Sequence, residues 1–191
     1  MGIQKAVVAT LVMVVLQGCV TAGPVVDPTA QQNLHSLQLF NADASPRFTF
    51  YLACTSDTVN CGNVENWFGE WASDRHITLR NADPADGPFK DGQPSRVKEQ
   101  ALPYRLAVHY QPWMKPSYTL TSMYKQGGNT APAIGYSATI YVFDSATGKL
   151  LQAVPVHAET TAKEQKGVAN PYLHDEVDGF LASLDPTYSH P

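Results

Sequence analysis

The chain has 191 residues, of which 43% are hydrophobic, 10% aromatic and 16% charged, and its formal net charge is −4. Those proportions fit one folded domain with a short extension, and they exclude a disordered or low-complexity chain. Its densest basic pair is Arg96 with Lys98, which excludes a nucleic-acid footprint.

At the start, Lys5 precedes Ala6–Leu16, a run that is apolar except for Thr10. That length suits the hydrophobic region of a signal peptide and falls short of a bilayer core of ~30 Å. Val7, Val8, Leu11, Val12, Val14, Val15 and Leu16 cover every face of a helix, unlike the single stripe of a packed core helix. Leu16-Gln17-Gly18-Cys19 then resembles the lipobox of bacterial lipoproteins: an aliphatic residue, a tolerant position, a small residue and a cysteine. Gln17 is less usual there than Ala or Ser. The resemblance implies that residues 1–18 are a signal peptide and that Cys19 becomes the acylated first residue, joined to a palmitate-type lipid. Val20, rather than Asp, after the cysteine implies the outer membrane, with the protein anchored on its periplasmic face. An ordinary secretory signal cleaved nearby, as after Ala22, and a retained membrane anchor are the alternatives.

Under that reading Cys54 and Cys61 are the two thiols left in an oxidising compartment, where "CTSDTVNC" closes as a disulfide loop. Such a loop is worth ~2–3 kcal/mol in the chain-entropy model.

Further along, "VTAGPVVDPTAQQ" reads as a tether, so that 19–33 is flexible and the domain spans 34–185. "NLHSLQLF" reads as either a short helix or a first strand, with a strand over Ser36–Phe40 the favoured of the two. "RFTFYLA" alternates cleanly and predicts a half-buried strand ending at Cys54. In "NVENWFGEWAS" the period changes: Val64, Trp67, Phe68 and Trp71 form one helical stripe, with Asn63 as N-cap. "HITLR" is a short strand. Residues 81–95, rich in Pro, Gly and Asp, form a long surface loop, and "SRVKEQ" adds a helical turn.

The second half reads as a meander of "YRLAVHY", "SYTLTSMY", "GYSATIYVF" and "KLLQAVPVHA". Asp144 and Gly148 predict a type I turn with a bulge between the last two, and Pro155 places the final strand at an edge or a bulge. "QPWMKP" and "KQGGNTAPAIG" are read as loops. A last helix starts at Asn170-Pro171, buries Leu173, Val177, Phe180, Leu181 and Leu184, and stops at Asp185-Pro186. His174 rims its stripe, and residues 186–191 are expected to fray. The expected fold is α+β, a mainly antiparallel sheet of about six strands with two helices on one face. The segment from "GYSATIYVFDSATGKLLQAVPV" to the last helix resembles the closing hairpin and helix of small bacterial envelope lipoproteins.

No nucleophile elbow, zinc-protease motif, Walker loop or dinucleotide fingerprint is present. His157-Ala158-Glu159 matches half of a zinc-deaminase motif whose cysteine half is missing, and Asp83, Asp86 and Asp91 do not meet the EF-hand spacing. Neither a metal nor a cofactor is implied. His109, His157 and Glu159 form an acid–base cluster if they meet, and polar decoration of a sheet face if they do not. Trp113, in the loop "PWMKP", with Tyr118 and Tyr124, is the candidate set for anchoring a protein partner or stacking on a sugar, the alternative being that Trp113 folds back onto the domain. The expected function is a non-enzymatic, lipid-anchored envelope protein that binds another envelope protein or peptidoglycan. An envelope hydrolase and a toxin-immunity lipoprotein are the alternatives.

Overall fold

The computed structural model describes residues 24–115, 118–119, 129–130, 133–161 and 170–188. Cys19 and Tyr124 lie outside the described residues, and so do 189–191 of the expected tail. The elements are β1 (Val25–Val26), α1 (Pro28–Ser36), β2 (Phe48–Cys54), α2 (Cys61–Asp74), β3 (Leu79–Asn81), a 3-10 turn at Gly87–Phe89, β4 (Tyr104–Lys115), β5 (Tyr118–Thr119), β6 (Asn129–Thr130), β7 (Ala133–Asp144), β8 (Leu150–Thr161) and α3 (Asn170–Leu184).

Six strands form one open sheet in the order β1-β8-β7-β4-β2-β3, and β5 pairs with β6 apart from it. From β1 to β4 every pairing is antiparallel, while β2 runs parallel to both β4 and β3. A parallel pair needs a crossover rather than a tight turn, and α2 is the crossover from β2 to β3. The fold is α+β, as expected.

One face of the sheet meets the helices. Phe48, Phe50, Leu106, Val108 and Tyr110 face Val64, Phe68 and Trp71 of α2, and all are fully buried. Phe50 stacks on Phe68 at 6.0 Å between centroids and meets Trp71 edge-on at 5.3 Å. The predicted α3 stripe is buried at every position from Leu173 to Leu184. A buried carboxylate ties the two helices. Asp185 accepts from Arg75 Nε at 2.7 Å and Nη2 at 3.1 Å, and from Trp71 Nε1 at 3.3 Å.

Several elements differ from expectation. Residues 25–36, read as tether running into a strand, form β1 and α1. Asp27 accepts the Ala30 N–H at 2.8 Å and Pro28 occupies the first turn, so a cap and a preset φ start a helix there. The N-cap of α2 is Asn60, not Asn63; its side chain accepts the Gly62 N–H at 2.9 Å. β4 runs through "QPWMK", because its ladder with β7 continues to Lys115↔Ala133. Of "SYTLTSMY", only β5 is described, and it lies outside the main sheet. Thr187 and Tyr188 are not frayed: Arg75 donates to Thr187 Oγ1 at 2.9 Å, and Tyr188 donates to Asp74 at 3.1 Å. The hairpin before β8 is as predicted. Gly148, at φ 74°, donates its N–H to the Asp144 carbonyl at 2.9 Å, and Asp144 Oδ1 accepts from Thr147 N and Oγ1.

Candidate functional site

Among the described residues the second face of the sheet carries no α-helix, and the segment 82–103, with its 3-10 turn, covers only part of it. Arg105, buried on β4, donates to the carbonyls of Gln93 and Lys90 and lies 4.3 Å from the Phe143 ring centroid. Tyr51 donates to Glu99 Oε2 at 2.7 Å, and Glu99 Oε1 pairs with Arg80 Nε at 3.1 Å. Burial first, and the Glu99 carboxylate second, push the Tyr51 hydroxyl up to about 12. These contacts bury Thr49, Tyr51 and Ala53, so β2 is covered on both faces rather than half-buried. Asp91, in the same segment, accepts the Leu150 N–H at 2.6 Å and Asp83 accepts that of Ala85 at 2.8 Å; both carboxylates serve the backbone.

Beyond this cover the sheet face is open among the described residues, and its relief follows from the alternation of side chains. Along β7 the positions on this face are Thr139, half-buried, Ser137, exposed, and Gly135, buried. They pair with His109, Gln111 and Trp113 of β4 on one side and with Pro155, His157 and Glu159 of β8 on the other. Small residues down the middle strand, with larger ones on both flanks, make a trough. Its volume is about 470 Å³, with Trp113, Ser137, Thr139, Pro155, His157 and Glu159 in its lining.

The trough is closed at one end by the indole. A Cβ on Gly135 would lie 2.6 Å from Trp113 Cζ2, so only glycine admits the ring across β7. Lys115 Nζ sits 4.4 Å from the centroid of that ring. Trp113 is therefore half-buried on a strand and lies over the sheet, not projecting from a loop. Tyr118 lies in β5, and its side chain, like the whole of Tyr124, lies outside the described residues.

His109, His157 and Glu159 share the open face but are not assembled. β7 separates the two histidines, whose rows are offset by two residues: His109 pairs with Thr139, and Ser137 pairs with His157. With strands ~4.8 Å apart and ~3.4 Å per residue, their backbones are roughly 12 Å apart. His109 Nε2 is instead 2.8 Å from Thr55 Oγ1, and burial lowers its pKa. No hydrogen bond joins any two of the three among the described residues. No cluster of three or more His, Cys, Asp or Glu able to hold a metal occurs there either.

The disulfide loop braces the β4 wall. Cys54 and Cys61 are bonded, with their Cα atoms 5.7 Å apart. Between them, Thr55 meets His109, Ser56 Oγ donates to the Pro112 carbonyl at 2.6 Å, and Thr58 Oγ1 accepts the Met114 N–H at 3.0 Å. Three residues of one short loop thus fix three successive parts of the strand that carries Trp113. Sequence reasoning found the loop and the indole separately. The signal that joins them is the alternation of β7, whose open face is Gly-Ser-Thr while its other face is Tyr-Ala-Ile.

No family model matches the chain, and no curated protein matches it. Among solved structures it is similar to the PelC dodecamer protein from Paraburkholderia phytofirmans (12% identity, 71% of this chain and 86% of that one, TM-score 0.38). It is also similar to a neuraminyllactose-binding hemagglutinin homologue from Helicobacter pylori (4%, 79% and 89%, 0.41) and to a minor lipoprotein from Acinetobacter baumannii (14%, 70% and 88%, 0.34). At these identities and TM-scores the likeness transfers neither an activity nor a partner.

Proposed function

We propose that the protein is a non-enzymatic envelope protein, acylated at Cys19 and held at the periplasmic face of the outer membrane, that offers the open trough of its sheet to an envelope partner. That partner is another envelope protein or peptidoglycan. The observation that carries the reading is the trough itself. Its floor is small and polar, its flanks carry Gln111, His157 and Glu159, and its end is an indole braced by a disulfide loop. Sites that recognise ligands combine an aromatic anchor with a few placed polar groups. The lipobox resemblance at Leu16–Cys19 supports the address.

A photoreactive amino acid at Ser137, installed in the living host, tests the binding face. The expected result is a discrete adduct that is absent when the probe sits at exposed Val97, in the segment 82–103. Equal adduct patterns from both positions would refute the trough as the contact surface. Radiolabelled palmitate tests the anchor: label is expected on the wild type and absent from Cys19→Ser.

A further inference from the structure

The chain enters the fold at one edge of the sheet. Val25 pairs with His157 and Val26 with Val156, so β1 borders two residues of the 12-residue β8. Pro24 is fixed beside them: its Cδ lies 3.8 Å from the position a Cβ on Gly179 of α3 would take. Of the tether expected over 19–33, only 19–24 precedes β1. Val25 follows Cys19 by six positions, so the two are at most about 22 Å apart along the chain. At ~4.8 Å per strand, the opposite edge of the sheet lies about 24 Å further away. An anchor on Cys19 therefore holds the β1–β8 edge at the bilayer.

That edge is apolar on one side. Three large hydrophobic side chains are exposed among the described residues, and two of them are here: Val25, 54% exposed, and Leu151, 43% exposed. Val25 shares the face of its partner His157, and exposed Pro155 and Ala153 alternate with that histidine along β8. Leu151 follows at the bulge, so the row is about 20 Å long. From Leu150 to Ala158 the sequence holds no Asp, Glu, Lys or Arg. Lys149 and Glu159 flank the row, and Asp27 follows β1 with its carboxylate on the Ala30 N–H. The helix side of the same edge differs. Exposed Asp175 lies one turn from Gly179 on α3, with half-buried Asp178 next to that glycine. Carboxylates lose hydration against a bilayer, so the sheet side is the one suited to meet it.

We infer that the row of Val25, Leu151, Ala153 and Pro155 rests on the lipid surface to which Cys19 is anchored. The inference rests on the acylated Cys19 of the proposed function. So small a row does not hold a free protein on a membrane, because interfacial binding scales with the apolar area buried. A short leash changes that by raising the effective concentration of lipid at the row. The floor of the trough, on β7, lies one strand further in, so its partner is met beside the bilayer.

The test uses the full acylated chain in vesicles of phosphatidylethanolamine and phosphatidylglycerol that carry a nitroxide-labelled lipid. A polarity-sensitive fluorescent amino acid is placed at Ala153 or at exposed Val97, and mass spectrometry of the same sample reads the lipid on Cys19. A blue shift and nitroxide quenching are expected at Ala153 and neither at Val97. Both should be lost from Ala153 when Val25→Glu and Leu151→Glu are combined, two changes at exposed positions that leave the core intact. Both should persist in phosphatidylcholine vesicles, because the contact is apolar. Equal quenching at the two positions, quenching that survives the double variant, or quenching confined to anionic vesicles would each overturn the inference and leave the anchor standing. A Cys19 without lipid would overturn both.

Discussion

Two buried tyrosine hydroxyls show how single groups tune this core. Tyr110 and Tyr136 stack at 4.8 Å between centroids beneath Phe180, and neither hydroxyl has a hydrogen-bond partner among the described residues. An unsatisfied buried hydroxyl costs about 1–3 kcal/mol, whereas removing it with its ring kept costs little. Tyr110→Phe is therefore expected to leave stability unchanged or raise it by about 1 kcal/mol in a denaturant titration. A loss above about 2 kcal/mol would show that the hydroxyl is satisfied. Asp185→Ala is the opposite case. It strands the Arg75 and Trp71 donors that converge on one buried carboxylate, and a loss of about 3–5 kcal/mol is expected.

Glu176, close to both tyrosines, gives the residue scale a pH dependence. Burial first, and Asp175 beside it, raise its pKa, while the hydrogen bond from Thr160 opposes them. A carboxyl whose folded pKa lies above its unfolded one favours the protonated fold. Its contribution is intact below the unfolded pKa, near 4.5, and is lost as pH rises through the raised folded value. Stability should thus decline over the pH range just above 4.5 in the wild type. In Glu176→Gln, which keeps an acceptor for Thr160, that decline should vanish; chemical denaturation across this range measures both. An unchanged slope in the variant would assign the effect to another group.

At the scale of elements, the disulfide loop and β4 act together. Cys54 ends β2, Cys61 begins α2, and the residues between them bond to His109, Pro112 and Met114. Replacing both cysteines by serine should cost about 2–3 kcal/mol. It should also loosen the wall, seen as a shifted Trp113 ring signal in NMR. Gly135→Ala should also displace the ring without touching the disulfide, and disturb the β7–β8 ladder beside it, since its Cβ has no room beneath the indole or against the Ala158 carbonyl oxygen. Both helical stripes and most strands are legible in the sequence, because burial on one face imprints a period; the closing hairpin is legible from its turn residues, and the thiol pairing from the two cysteines left once Cys19 is set aside. Strand direction is not legible, since a parallel and an antiparallel strand share the same alternation. Nor is the full burial of β2: its second cover is a Pro- and Gly-rich segment with no period, held by single residues such as Arg105 and Glu99. α1 was missed because its apolar face is thin, with Leu34 as its one buried residue. The trough was half visible. Gly135, Ser137 and Thr139 alternate in plain view, but only the ladder register shows which residues wall them.

Across the whole molecule the sheet is covered unevenly, and that sets where it opens. β2 and the first half of β4 lie between the helices and the segment 82–103, with Phe50 and Leu106 under one layer and Tyr51 and Ala107 under the other. β8 has the two-residue β1 on its outer edge, and its trough-facing residues Pro155, His157 and Glu159 are exposed. Amides packed between two layers open only with the global transition, whereas edge amides open locally at lower free energy. Native-state hydrogen exchange should accordingly place Phe50–Leu52 and Leu106–Val108 in the slowest class, matching the free energy of global unfolding. Glu159–Thr161 should exchange several orders of magnitude faster. Glu99→Gln weakens the second layer by removing the charge that meets Arg80 while leaving the helix layer intact. In that variant the amides covered by 82–103 should speed up more than those of α2 and α3. Uniform acceleration of all three would mean that the two layers unfold as one unit and that the open trough is as rigid as the core behind it.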